Sequence, residues 1–199
     1  KKGLKHQKST NRFSLFIESN LAKDILKPFW KLAIRNKSTK KITIVNKENL
    51  THPNDSAFMS GFLFPRCKLT TLSFLSDKGG FDQAGARSLK KALRKLGIIS
   101  LDLQFPRANK FPAKFFENLG VASRQLKGLA LRFSEKEFHY IESNVINDLC
   151  HSLKAANSLK KCSIKFDSPV NNVLFSSLTQ VFKGKKLKYL TISCKQDGD

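Results

Sequence analysis

The residues that could act as metal ligands, nucleophiles or acid–base groups are few and scattered. Four cysteines, Cys67, Cys150, Cys162 and Cys194, form no CxxC pair and share no histidine spacing that would complete a tetrahedral metal site. Thiols placed singly behave as small buried hydrophobes, so reduced, inert cysteines in an intracellular and first of all cytoplasmic protein are expected, with nucleus or organelle as further compartments. His6, His52, His139 and His151 fall in a tail, a loop and one helical region, with no cysteine or carboxylate at ligand spacing beside them. Asp102 and Glu142 are isolated acids with no evident partner for proton transfer. GxSxG, GxxxxGK[ST], HExxH and GxGxxG motifs are all missing. The expectation is a non-enzymatic chain with no cofactor, no metal and no small-molecule substrate.

Charge is what the composition supplies instead. Lys and Arg number 37 against 15 Asp and Glu, a formal net charge of +22 over 199 residues. A field of that size costs self-repulsion and is relieved by an acidic partner: nucleic acid, an acidic protein surface or anionic lipid. No apolar run approaches the length of about 18 residues needed to cross a bilayer, so no membrane span is expected. Lys1, Lys2, Lys5 and Lys8 make residues 1–11 a flexible basic arm that can order on an acidic surface.

The elements that must position these charges are set by an internal repeat. Short alternating segments recur at Phe13–Leu15, Ile42–Ile44, Leu72–Phe74, Leu101–Leu103, Leu129–Leu131, Cys162–Ile164 and Leu190–Ile192. The steps between their last residues are 29, 30, 29, 28, 33 and 28. Five are preceded by a further apolar residue (Leu69, Ile98, Leu126, Leu159, Leu187), which completes an L-x-x-L-x-L strand pattern. Between strands the period turns helical: Gly85, Leu89, Leu93 and Leu96; Phe111, Phe115 and Leu119; Val145, Leu149 and Leu153; Leu174, Leu178 and Phe182. A strand–turn–helix–turn unit of this length cannot bury its own apolar side, whereas neighbours stacked against both flanks can.

The stretch from Leu69 to Cys194, about two thirds of the chain, resembles leucine-rich repeats of the ribonuclease-inhibitor type, best in Leu69–Phe74 followed by Gly85-xxx-Leu89-xxx-Leu93. Residues 41–67 match more weakly and 1–40 by spacing alone. The resemblance implies an α/β fold: a right-handed solenoid over residues 12–199, of about six to seven repeats. A parallel sheet would line its concave face and helices its convex face. The family's Asn or Cys after each strand is missing; Lys47, Asp77, Pro106, Ser134, Asp167 and Lys195 stand there instead. Phe105, Phe133 and Phe166 just before these positions suggest an aromatic stack in place of the usual polar ladder.

Outward strand positions of such a fold are its reading surface. At the C-terminal end they are Lys127, Arg132, Lys160, Lys161, Lys165, Lys188 and Tyr189, a basic stripe suited to phosphates or carboxylates. Arg87, Lys90, Lys91 and Arg94 form a second basic set on an outer helix face. The expected role is an interaction or scaffold subunit of a larger assembly, binding an acidic partner protein. Direct RNA binding is the alternative, weakened because Tyr189 is the one Tyr or Trp on that face. Only Lys195 to Asp199 follow the last strand, so either a partner covers its edge or the chain continues.

Overall fold

A computed structural model describes residues 12–17, 39–46, 69–76, 83–105, 115–116, 125–133, 143–167 and 170–194. The basic arm with Lys1, Lys2, Lys5 and Lys8 lies outside the described residues, as do Cys67, His6, His52, His139 and Glu142.

Seven strands, each of six residues, coincide with the seven alternating segments: β1 (Arg12–Ile17), β2 (Lys41–Asn46), β3 (Thr71–Ser76), β4 (Ser100–Phe105), β5 (Gly128–Phe133), β6 (Lys161–Phe166) and β7 (Tyr189–Cys194). They form one sheet in chain order, and every pairing is parallel. Among the described residues three helices lie between strands: α1 (Gln83–Leu96), α2 (Ser143–Ala155) and α3 (Asn172–Gln180), and Phe115 and Phe116 are also helical. The fold is α/β, with a sheet that grows by one strand for each step of the sequence period.

The register explains the constancy of that period. Ile42, Leu72, Leu101, Leu129, Cys162 and Leu190 lie opposite one another across successive strands, and so do Ile44, Phe74, Leu103, Leu131, Ile164 and Ile192. Because side chains alternate along a strand, both rows share one side of the sheet. All of them but Leu190 belong to a single apolar cluster with Leu89, Leu93 and Leu96 of α1, Ile146, Leu149 and Leu153 of α2, and Leu178 of α3, Ile192 being partly buried against it. A shift of one residue in any strand would turn its apolar set to water.

Before each strand the backbone departs from simple pairing in a repeated way. The Lys40 carbonyl accepts the amides of both Thr70 and Thr71. The Thr70, Ile99, Lys127 and Lys160 carbonyls each take two consecutive amides in the same manner. Two residues therefore face outward in succession before alternation begins, which is the physical content of the x-x in L-x-x-L. It brings Leu69, Ile98, Leu126 and Leu159 back into the core, each at most 2% exposed.

Aromatic packing caps the other end of the strands. Phe133 and Phe166 are register partners, stacked with ring centroids 5.0 Å apart and planes 9° from parallel. Phe116 meets Phe133 edge-on at 6.0 Å. The expected aromatic stack exists for this pair; the side chain of Phe105 lies outside the description. Helix ends are closed individually. Gly97, at φ 63°, ends α1 in a left-handed conformation that favours glycine. Asn171 caps α3 by accepting from the Val173 amide at 2.8 Å. The Lys185 ammonium donates to the carbonyls of Lys154 and Ala156 at the end of α2, tying one unit to the next.

Thr39 occupies the place that Leu69, Ile98, Leu126 and Leu159 fill in later units. It is fully buried, and its hydroxyl has no hydrogen-bond partner among the described residues. Thr39→Val, which keeps the shape and removes the unpaired hydroxyl, should therefore stabilise the fold by about 1 kcal/mol. Urea denaturation would read this as a higher midpoint at unchanged slope; a lower midpoint would mean that the hydroxyl is bonded.

Candidate interaction face

The side of the sheet opposite the apolar cluster carries the outward strand residues, and parallel register arranges them in rows. One row runs Arg12, Lys41, Thr71, Ser100, Gly128, Lys161, Tyr189. The next is made of short side chains, all polar but Ala130: Ser14, Thr43, Ser73, Asp102, Ala130, Ser163 and Thr191. The third changes character along its length, from Phe16, Val45 and Leu75 to Gln104, Arg132 and Lys165. The paired-amide turns add Lys40, Thr70, Ile99, Lys127, Lys160 and Lys188 at the leading edge.

Positive charge concentrates where β5, β6 and β7 meet. Lys127, Lys160, Lys161, Lys165, Lys188, Arg132 and Tyr189 are all exposed, and the sheet brings all of them together. They do not act as one uniform stripe. Asp167 accepts from Arg132 Nε at 3.2 Å and Nη2 at 3.1 Å, and its second oxygen meets Lys165 Nζ at 3.1 Å. These two cations are thus partly neutralised from within. Lys161 Nζ lies 5.0 Å from the centre of the Tyr189 ring, a cation–π contact between register partners. Among the described residues no carboxylate pairs with Lys127, Lys160, Lys161 or Lys188, and these four form the open part of the basic corner.

Asp167 stands after its strand at the position where the resembled repeats carry Asn or Cys. Its carboxylate instead spans two strands. The signal was available: Asp167 stands two residues beyond Lys165, which is register partner to Arg132, so all three share one side of the sheet.

Asp102 is the acid at the centre of the face, between Ser73 and Ala130. Burial pushes its carboxyl up from the usual carboxylate range, opposed by the Lys41 charge and a hydrogen bond from Ser73. Of the basic set on α1, Arg87, Lys91 and Arg94 are exposed, while Lys90 is half-buried and has a partner. Cys150 and Cys162 are buried free thiols; burial pushes Cys162 up to about 12, which holds it protonated and unreactive. Among the described residues no group of three His, Cys, Asp or Glu could hold a metal ion. No helix among them is long and apolar enough to cross a membrane.

Two substitutions test these assignments. Asp167→Asn should release Arg132 and Lys165, so the protein should elute from heparin at higher salt. The ion pairs are half-exposed and worth no more than about 1 kcal/mol, so the urea midpoint should move little. Unchanged elution would show that the two cations are not available even when freed. Asp102→Asn should stabilise the fold at neutral pH. A carboxyl whose folded pKa is raised favours folding most below its unfolded pKa and loses that contribution as pH rises through the folded value. The stabilisation should therefore shrink as pH falls to about 3, and a pH-independent effect would assign it to packing.

No family model, curated protein or solved structure matches the chain.

Proposed function

We propose that the chain is a right-handed leucine-rich-repeat solenoid serving as a non-enzymatic interaction subunit. It binds an acidic partner protein through the basic corner of its open sheet face, within a larger assembly. The observation that carries this reading is the grouping of Lys127, Lys160, Lys161 and Lys188 at the leading ends of adjacent strands, exposed and without a described carboxylate to answer them. The sheet fixes the spacing of their backbones, so that binding has only the lysine side chains to order. The sequence period supports the solenoid, because one more strand for each 28–33 residues is how stacked units grow. Right-handed crossovers are the rule for parallel strands joined through helices.

A second reading, direct binding of RNA, has one observation in its favour. Tyr189 is 64% exposed at the same corner and offers an aromatic surface beside the lysines. Its ring already receives Lys161, and a single ring gives one stacking platform.

The test uses polyglutamate and a single-stranded RNA as probes. The double variant Lys160→Glu with Lys161→Glu should weaken polyglutamate binding at least about tenfold at moderate salt. The double variant Arg87→Glu with Arg94→Glu on α1 should change it much less. Equal effects of the two pairs would replace the sheet face with diffuse charge. RNA binding that drops further in Tyr189→Ala than in the charge variants would favour the second reading.

A further inference from the structure

The residues just before the strands form a line that changes chemistry as it crosses the sheet. Main-chain bonds join it directly: the Ile99 amide donates to the Thr70 carbonyl at 2.9 Å, the Lys127 amide to Ile99 at 2.8 Å and the Lys160 amide to Lys127 at 2.8 Å. Neighbouring side chains on the line therefore start about 4.8 Å apart, the spacing of adjacent strands. In chain order they are hydroxyl, apolar, cation, cation. Ile99, 36% exposed, leads into β4, and the exposed Lys127 and Lys160 lead into β5 and β6. Each of these strands has a described strand on either side, so none of the three owes its exposure to the edge of the sheet. Farther along the same side, Asp102 lies within β4, and Asp167 just past β6 engages Arg132 and Lys165. A partner carboxylate placed there meets another acid. At the line itself no described carboxylate pairs with Lys127, Lys160 or the adjacent Lys161.

We infer that this line receives one face of a partner helix, with an apolar side chain over Ile99 and acidic side chains at Lys127 and Lys160. From Ile99 to Lys160 the line spans two strand spacings, about 10 Å. On an α-helix, positions i, i+4 and i+7 share a face and span about 10.5 Å. Three alternate residues of an extended segment span about 13 Å, so a strand-like partner drifts out of step while a helix stays in register. Lys161, outward on β6, adds a second cation at the acidic end of the helix. The acidity of the occupant rests on the proposed function; the apolar contact and the helical spacing do not.

The probe is a fluorescein-labelled, alanine-based peptide, stapled as a helix, with leucine at one position and glutamate at i+4 and i+7 from it. One control moves the leucine to the opposite face; the other is unstapled and interrupted by proline. Fluorescence anisotropy at moderate salt should show the probe binding at least about fivefold more tightly than either control. Ile99→Ser should cancel the advantage over the displaced-leucine control and leave that control's own binding unchanged. Lys127→Glu with Lys160→Glu should weaken both stapled helices at least about tenfold. The comparison among peptides uses unaltered protein, so a folding defect in a variant cannot imitate it. Equal binding of all three peptides, lost in the lysine variant, overturns the helix and its apolar contact while leaving the basic face standing. Tighter binding of the proline-interrupted peptide overturns the helix in favour of an extended partner. Binding of the probe that persists undiminished in the lysine variant overturns both this inference and the proposed function.

Discussion

Every strand of this protein depends on its neighbour to bury the residues it turns inward. A six-residue strand exposes about half its side chains on each side, and the helices are too short to enclose an apolar row alone. Stacking resolves this. Each strand inserts its two or three inward residues into a row begun by the previous strand, and the helical leucines close the same cluster. Burial is therefore collective, and its quality changes at the end of the sheet. The row that is sealed at Cys162 is half open at Leu190, one strand later.

The open face follows from the same constraint. Once one side of the sheet is committed to the core, outward positions are free to vary, and here they vary by region. Hydroxyls and the desolvated Asp102 occupy the middle, exposed Phe16 marks one end, and lysines gather at the other. The two-amide turn before each strand doubles the number of outward residues at that level. This is why Lys160 and Lys161 are adjacent in sequence and yet both exposed. Ordinary alternation would have buried one of them, at a cost no lysine repays without a partner.

Charge on this surface is not all equivalent. Arg132 and Lys165 converge on Asp167, and Lys161 leans on Tyr189, so formal net charge overstates what a ligand meets. The remaining lysines at β5–β7 face solvent, with no carboxylate among the described residues paired to them.

The strand set was legible in the sequence because period-2 alternation and a near-constant step are both local properties. The seven segments, the buried Leu89, Leu93, Leu149 and Leu153, and the outward lysines could all be named from spacing. Cross-strand relations could not, since they depend on which residues register places side by side across about 30 positions. Asp167 between Arg132 and Lys165, Lys161 over Tyr189, the Lys185 bonds to the end of α2, and the unpaired hydroxyl of Thr39 are of this kind. Sequence determined which side chains face which way, because backbone periodicity does; tertiary structure decided which of them meet, because that needs the distance between strands.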